Sequence, residues 1–256
     1  MPVKSVDKAL EILECFLTGH EVLRVREVAS MTGLSKATVS RVMATMESRG
    51  WLERDSELGS YRLGIKAHML GGMAQEGFDL AKLARPFLEQ LRDQCGEEVA
   101  LHVLRGSARV CVARADSRFT IAKVSTLGSP LPLHCGAAGK VLLAYLPLET
   151  RRKLIYSRPL QAFTPLTITD PRELEKDLEK IAEQGYALSD GEREEGAYSV
   201  VAPVFDVRDQ VVASLVVSGP SFRLADNLTH GLIKSVMESA DELSAKLGHN
   251  ATKAIG

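Results

Sequence analysis

The stretch from Leu34 to Gly50, LSKATVSRVMATMESRG, constrains the fold more than any other part of the chain. Its spacing predicts a helix that Ser35 can cap and Gly50 can end. One face is apolar, formed by Val39, Val42, Met43 and Met46. The other face is small, hydroxylated and cationic, and it has no acid between Ser35 and Thr45. Such a slim, donor-rich face suits the DNA major groove, although an ordinary amphipathic helix is an alternative. The predicted DNA contacts on this helix are Ser35, Lys36, Ala37, Thr38, Ser40, Arg41 and Thr45.

Two segments before this stretch complete a helix-turn-helix pattern. Ser5 to Leu17 has the spacing of an amphipathic helix, and Ser5 can cap it. Residues 25–31 predict a second, shorter helix. Thr32-Gly33-Leu34 supplies the tight turn before the helix of the Leu34–Gly50 stretch, which is the recognition helix of such a motif. The predicted apolar stripe of the first helix is Val6, Ala9, Leu10, Leu13, Phe16 and Leu17.

A hairpin is predicted directly after the recognition helix. Residues 51–54 and 60–64 are short β-like runs, and the link between them is rich in turn-forming residues. This is the arrangement of a wing, from which Arg54 and Arg62 can reach phosphates or the minor groove. A plain surface hairpin is the alternative.

Charge limits how this N-terminal region can bind DNA. The chain has 256 residues, enough for one large or two medium domains, and a formal net charge of −1. Basic and acidic residues balance over residues 1–64. A single copy therefore binds weakly, because non-specific affinity follows the number of phosphates neutralised. A dimer that contacts two half-sites would offset this weakness.

Cysteine spacing and hydropathy indicate a reduced, cytoplasmic protein. The four cysteines show no C-x-x-C spacing, and a zinc site is a weak alternative to buried thiols. The N-terminal residues lack the apolar core of a signal peptide, and the apolar runs are too short to span a bilayer. We predict no cofactor and no metal. The residues that the zinc alternative would need are His102, Cys111, His134 and Cys135.

Seven segments carry a recognisable pattern: SVDKALEILECF, LSKATVSRVMATMESRGWLERD, YRLG, PLHCGAAGKVLLAYLP, TITD, EEGAYSVVAPVFD and VSGP. Taken together and in this order, they resemble the IclR family of bacterial transcriptional regulators over nearly the whole chain. The resemblance implies an α+β protein: a winged helix-turn-helix (1–64), a linker helix (65–78) and an α/β effector-binding domain (79–250). That last domain is distantly similar to GAF domains and has a mainly antiparallel sheet. The resemblance also implies homodimers, which pair into tetramers on DNA in many members of the family.

Helical and strand periodicities fill the rest of the chain. Residues 65–75 predict the linker helix, whose Leu70 and Met73 can pack on a partner copy or within one chain. The charges of the helix that Asp170 caps are expected to be solvated. An acidic loop is expected over residues 190–196. The predicted helices span 80–95, 148–156, 171–184 and 228–247, and the predicted strands span 98–104, 109–115, 119–123, 186–189, 198–205 and 211–219.

Residues 130–146 are the second informative stretch. A loop leads into a helix that starts Ala137-Ala138-Gly139, and small residues at a helix start leave amides open to an anion such as a carboxylate. Close packing that demands small residues is the alternative. The family resemblance favours the anion site and implies that the amides of Ala137 and Ala138 hold the ligand. By matching positions it also implies as pocket residues Ser189 or Asp190, Ala197, Ser199 and Ser218.

Two of these pocket positions depart from the family pattern. Ser199 stands where a cysteine is common, and Ser189 where some members have an acid. Hydroxyl groups can bond a carboxylate or a sugar hydroxyl, so the departures leave the identity of the effector open.

The function predicted from these features is a ligand-responsive DNA-binding regulator, with repression favoured over activation. Its partners would be operator DNA and a small carboxylate effector. A winged helix used for protein contacts is one alternative. A cysteine enzyme that uses Cys135 and His134 is disfavoured, because adjacent side chains usually point apart and no orienting third group is apparent.

Overall fold

The computed structural model describes residues 3–18, 20–56, 58–76, 79–122, 124–224 and 229–250. The chain divides into two compact units, Met1–Phe78 and Asp79–Gly256, here called the first and second units. Within the part that is described, no helix is long and apolar enough to cross a membrane.

The first unit is a winged helix-turn-helix, as the sequence predicts. Its helices are α1 (Lys4–Glu14), α2 (Val25–Thr32), α3 (Lys36–Ser48) and α4 (Ile65–Glu76), with a short 3-10 helix (Cys15–Thr18) after α1. Its strands are β1 (Leu23–Arg24), β2 (Leu52–Arg54) and β3 (Ser60–Leu63). They form an antiparallel sheet in the order β1-β3-β2. The predicted hairpin is therefore present, and the short strand β1 was not predicted.

Helix α1 differs from the sequence prediction. It begins at Lys4, and its N-cap residue Val3 makes no side-chain cap hydrogen bond, so the predicted cap at Ser5 is wrong. Ile12 is fully buried, whereas Val6 and Leu10 are more than half exposed. The apolar residues of α1 occupy more than one face, and the face through Ile12 packs on the core. The side chain of Leu17 lies outside the described residues.

The second unit is a six-stranded antiparallel sheet between two layers of helices. The strands follow the order β6-β5-β4-β9-β8-β7. They are β4 (Glu98–Arg105), β5 (Ala108–Ala115), β6 (Pro130–Leu131), β7 (Ala187–Asp190), β8 (Ala197–Phe205) and β9 (Val211–Pro220). The helices are α5 (Leu80–Cys95), α6 (Ala137–Ala144), α7 (Leu148–Tyr156), α8 (Pro171–Gln184), α9 (Ser221–Leu224) and α10 (Thr229–Lys246).

Both faces of this sheet are buried. Helices α5 and α10 cover one face together with Val200 and Leu215, whereas α6 and α8 cover the other face together with Val201 and Val216. Alternate residues of β8 and β9 therefore enter different cores, which explains why most residues of both strands are apolar.

The predicted strand over residues 119–123 is wrong where it is described. Residues 118–121 form bends, and the edge strand is instead the two-residue β6. The segment is fastened locally: Arg118 N donates to Gly96 O, and the guanidinium carbon of Arg223 lies 4.5 Å from the centroid of the Phe119 ring. These contacts replace strand pairing. Lys123, the side chain of Met73 and the predicted helix residue Leu228 lie outside the described residues.

Candidate functional sites

Helix α3 presents the predicted polar face to solvent. The Ser35 hydroxyl caps the helix and accepts a hydrogen bond from Thr38 N at 3.2 Å. Thr38 is half-buried, and the other six predicted contacts on α3 are exposed. Val39, Met43 and Met46 are buried on the opposite side, and Val42 is half-buried.

The two cations of this face are available to an external anion. No ion pair engages Lys36 or Arg41 within the described ranges. Gly33, with φ of 70°, ends α2 in the left-handed conformation and turns the chain into α3. An exposed helix start with two unpaired cations is able to contact DNA phosphates.

The two arginines of the wing differ in whether a carboxylate pairs with them. Arg62 faces Glu53 on paired strands; its Nε donates to Glu53 Oε2 at 3.1 Å, and its Nη2 donates to Oε1 at 3.0 Å. These hydrogen bonds lower the pKa of Glu53 and raise the pKa of Arg62. Arg54 instead lies beside Tyr61, with 5.7 Å between its guanidinium carbon and the ring centroid. A phosphate would therefore compete with Glu53 at Arg62 but not at Arg54.

A cavity of about 160 Å³ in the second unit gathers most of the predicted effector residues. Six of the seven line it: Ala137, Ala138, Ser189, Ala197, Ser199 and Ser218. The seventh, Asp190, lies outside the cavity, is exposed, and accepts a hydrogen bond from Ser221 Oγ at 2.8 Å. A larger groove of about 520 Å³ beside α7 contains none of them.

Two arginines that the sequence analysis missed give this cavity a cationic end. Arg109 is only 7% exposed; its Nη1 donates to His102 Nδ1 at 3.4 Å, and its Nε donates to Pro132 O at 3.4 Å. Arg193 lines the same cavity, and its Nη1 lies 3.6 Å from Oε1 of Glu194, another lining residue. The Arg193 Nε is buried with no hydrogen-bond partner among the described residues. Burial, with a smaller effect from Arg193, lowers the pKa of Arg109 to about 10. Burial, with Arg109 next, lowers the pKa of His102 to about 3, so the imidazole is neutral.

Strand alternation in the sequence gave no signal for Arg109. Its parity in β5 is that of Cys111, whereas Val110 and Val112 have the other parity, so the pattern does not show which side is buried. Only the structure shows that the side of Arg109 is buried. Arg193 lies in a loop, where no periodicity marks it.

The start of α6 is held by charges from distant segments. Glu192 Oε2 accepts a hydrogen bond from Gly136 N at 3.1 Å. Lys140 Nζ lies 2.5 Å from Glu192 Oε1 and 2.8 Å from Asp177 Oδ2, and Lys140 is almost fully buried. The expectation that the charges of α8 are all solvated is therefore wrong for Asp177. The acidic loop likewise places Glu192 inside the unit, because a buried cation requires a counter-charge.

The structure is compatible with both explanations of the small residues in α6, close packing and an anion site. A Cβ at Gly139 would lie 2.3 Å from the Leu133 carbonyl oxygen, so close packing demands glycine there. Ala137 and Ala138 line the cavity. Across the described part of the chain, no acceptor contacts the amides of Ala137 and Ala138. Open amides beside two arginines can bind a carboxylate.

Outside this cavity, the described cysteines and histidines form no comparable site. Cys135 is fully buried, and burial raises the pKa of its thiol, which disfavours a thiolate nucleophile. His134 Nε2 lies 2.9 Å from Gln161 O. The described residues contain no group of three or more His, Cys, Asp or Glu side chains that could hold a metal ion.

Family models match both units. The IclR helix-turn-helix domain model matches residues 5–56, and the model of the bacterial transcriptional regulator IclR C-terminal domain matches residues 73–245. The HTH-type transcriptional regulator BhcR of Paracoccus denitrificans is 35% identical over 94% of this chain and 86% of its own length. The transcriptional repressor IclR of Escherichia coli is 28% identical over 96% of this chain and 90% of its own length.

Solved structures agree with these matches. A putative IclR transcriptional regulator from Silicibacter sp. TM1040 superposes with a TM-score of 0.84 at 26% identity, covering 96% of each chain. An IclR homologue from Microbacterium hydrocarbonoxydans, solved in complex with 4-hydroxybenzoate, gives a TM-score of 0.61 at 25% identity, covering 95% of this chain and 98% of its own.

Proposed function

Since this chain belongs to the IclR family of bacterial transcriptional regulators, we propose that it is a repressor whose affinity for DNA is controlled by a small organic acid. The family assignment confirms the resemblance found in the sequence, and DNA-binding regulation of transcription follows from it. We also propose that the protein is not an enzyme and that it acts in the cytoplasm, where bacterial DNA lies.

One observation carries the choice of an organic acid. Arg109 is 7% exposed and lines the cavity, and its side-chain hydrogen bonds to described residues go to neutral groups, His102 and Pro132 O. Glu194 also lines the cavity and attracts Arg109, but it lies beside Arg193, with 3.6 Å between Arg193 Nη1 and Glu194 Oε1. One carboxylate for two cations leaves a positive charge uncompensated, and a carboxylate bound beside both arginines and the open amides of α6 would neutralise it. The 4-hydroxybenzoate of the Microbacterium relative is itself an organic acid.

The DNA contacts are assigned to α3 and the wing. Lys36 and Arg41 would neutralise phosphates, while the small hydroxyl residues of α3 allow close approach to base edges. The balanced charge of residues 1–64 favours a homodimer that binds two half-sites. In this proposal residues 1–64 bind DNA, 65–78 link the domains, and 79–250 bind the effector.

Control by the effector requires that it bind one arrangement of the dimer better than the other. Couplings of this kind are on the order of 1–3 kcal/mol, which corresponds to a change in operator affinity of roughly 5- to 150-fold. We propose that binding of the acid lowers the affinity for the operator, so that the protein is released from DNA.

The DNA half of the proposal is tested by replacing Arg41 with alanine. We expect weaker binding to the intergenic DNA beside the gene. The log–log slope of the salt dependence should fall by about 2, because a homodimer loses one Arg41 from each half-site. Lys153→Ala, which removes an exposed charge on α7, is the control and should leave both unchanged. An unchanged affinity and slope for Arg41→Ala would remove this residue from the interface.

The effector half is tested by Arg193→Gln. A panel of small organic acids is screened by thermal shift, because a ligand of the folded state raises its melting temperature. We expect the best acid to bind at least tenfold more weakly to Arg193→Gln, while DNA affinity without the acid stays unchanged. Arg158→Gln, in the larger groove, is the matched control. Equal loss in both variants, or no stabilising acid at all, would refute the proposal.

A further inference from the structure

We infer that the effector is an aliphatic hydroxy acid, with its carboxylate at the arginine end of the cavity and its hydroxyl groups along a row of serines that leads to Glu98. This inference rests on the proposed function, since it names the class of acid that the same cavity takes. Its basis is that the two ends of the cavity offer opposite hydrogen-bonding groups.

The row of serines follows from strand register. Ser189 pairs with Ser199, Ser199 with Ser218, and Ser218 with Glu98, across β7, β8, β9 and β4. Paired residues on neighbouring strands point to the same face, at intervals of about 4.8 Å. All three serines line the cavity. They therefore form a ladder of hydroxyl groups along one wall.

Glu98 fixes the direction of the hydroxyl groups at its end. It is 1% exposed; its Oε2 accepts from Ser125 N at 2.7 Å, and its Oε1 accepts from Ser125 Oγ at 2.7 Å and from Ser218 Oγ at 3.2 Å. A serine hydroxyl has one hydrogen and two lone pairs. Because Glu98 takes both hydrogens, Ser125 and Ser218 offer only acceptors to the cavity.

The opposite end is rich in donors. The carboxylate of Glu194 also lines it but is paired with Arg193, with 3.6 Å between Arg193 Nη1 and Glu194 Oε1. Arginine has no acceptor, and the same is true of the open amides of Ala137 and Ala138. In addition, the hydroxyl groups of Ser189 and Ser199 make no hydrogen bond with any described residue, so they can donate or accept. A ligand that satisfies the whole cavity is thus an anion at one end and a hydrogen-bond donor at the other.

These requirements exclude two neighbouring classes of acid. A dicarboxylate would place its second charge against the lone pairs of Ser125 and Ser218, in front of Glu98. A simple alkanoate would leave these acceptors unpaired, and a site built for a hydroxyl group discriminates strongly against an analogue that lacks it. The volume of about 160 Å³ has room for roughly ten water-sized groups, which suits a short aliphatic chain.

Calorimetry with matched acids tests the inference on the full chain. The hydroxy acids are erythronate, threonate and gluconate, compared with butanoate and hexanoate, with the dicarboxylates succinate and adipate, and with the neutral polyol erythritol. We expect at least one hydroxy acid to bind tenfold or more tightly than the alkanoate and dicarboxylate of its length, and erythritol not to bind. Alkanoates or dicarboxylates that bind as well as the hydroxy acids would overturn the inference but not the proposed function. Failure of every acid would overturn both.

Two variants test which residues give the preference for hydroxy acids over alkanoates. Ser218→Ala should weaken hydroxy-acid binding at least fivefold and leave alkanoate binding unchanged, whereas Ser221→Ala, outside the cavity, should change neither. Glu98→Gln places an amide donor behind the serines and frees a hydroxyl hydrogen for the cavity, so the preference should shift toward succinate. Circular dichroism checks that each variant is folded, and Ser218→Ala alone decides the outcome if Glu98→Gln does not fold. An unchanged ratio of hydroxy acid to alkanoate affinity in Ser218→Ala would refute the assignment.

Discussion

Helices α3 and α6 both have small residues in the first turn but are held in opposite ways. The start of α3 is exposed, and its cap, Ser35, lies three residues from the amide that it binds. The start of α6 is buried, and its partner Glu192 comes from 56 residues further along the chain. Both helix starts have open amides and a nearby cation, yet only α6 carries a buried cation, Lys140.

The contrast shows what each helix start can do. An exposed start keeps its cations hydrated and free for phosphates that come from outside the protein. A buried start must neutralise its cation internally, and the carboxylate that does so also fixes the loop that carries Arg193. The stability of the second unit and the shape of its cavity therefore depend on the same ion pairs, whereas the first unit can expose its charges at little cost.

The largest expected effect is at Lys140. Replacement by methionine leaves Asp177 and Glu192 without their shared cation, and breaking a buried ion pair in this way costs about 3–5 kcal/mol. We expect this loss in urea unfolding followed by far-UV circular dichroism. Trp51 is the one tryptophan of the chain, so its fluorescence follows the first unit separately.

Lys36 provides the matched control for Lys140. Lys36→Met at the start of α3 removes an exposed, unpaired charge and should change stability by less than about 0.5 kcal/mol. If the two methionine variants are equally stable, the difference between the two helix starts does not lie in their buried charge.

Gly139→Ala is expected to have the next largest effect. The added Cβ would meet the Leu133 carbonyl oxygen at 2.3 Å, so backbone must move, and overpacking of this kind costs about 1–3 kcal/mol. Gly231→Ala in α10 is the control: nothing lies within 4 Å of its Cβ position, and alanine favours the helix. Thermal melts should therefore move in opposite directions. A neutral Gly139→Ala would show that α6 is not fixed against residue 133.

The buried His102 should make the stability of the protein depend on pH. His102 is held neutral, with its pKa lowered from 6.5 to about 3 by burial. The unfolded chain binds a proton near pH 6.5 and the folded chain does not, so this residue lowers stability as the pH falls from 6.5 toward 3. The slope approaches about 1.4 kcal/mol per pH unit. Above pH 6.5 it contributes no pH dependence.

Unfolding of His102→Gln between pH 7 and pH 5 measures this contribution. The variant should lose most of that slope, whereas His68→Gln, at an exposed position of the first unit, should retain it. Equal slopes in the wild type and His102→Gln would mean that the imidazole is not held neutral.

Local signals in the sequence were sufficient for α3 and for the wing. The cap at Ser35, the turn at Gly33 and the apolar face through Val39 and Met43 all depend on residues a few positions apart, and each was predicted. The same holds for Asp170, which caps α8 and accepts from Arg172 N and Glu173 N as expected. Such features are set by short-range hydrogen bonds and by helix periodicity.

The cavity of the second unit depended on long-range contacts and could be predicted only in part. Family positions identified its serines and alanines, but the partners that give them chemistry come from other strands and loops. Lys140 pairs with Asp177 and Glu192, and Ser218 with Glu98, across separations that no periodicity encodes. Local pattern also misled at residues 119–123, where an apolar run is held by Gly96 and Arg223 instead of a neighbouring strand.

The smallest expected effect is at Ser35, and it tests whether an exposed cap matters to stability. Ser35→Ala removes the acceptor of the Thr38 amide and should cost about 1 kcal/mol, seen as an earlier transition of Trp51 fluorescence in urea. Ser40→Ala, an exposed position inside α3 with no capping role, should be neutral or slightly stabilising. Because α3 is held by local contacts, the transition of the second unit should not move in either variant. If Ser35→Ala shifts the circular dichroism transition of the second unit as much as it shifts the Trp51 fluorescence transition, the two units unfold together. The stability of α3 would then not depend on local contacts alone.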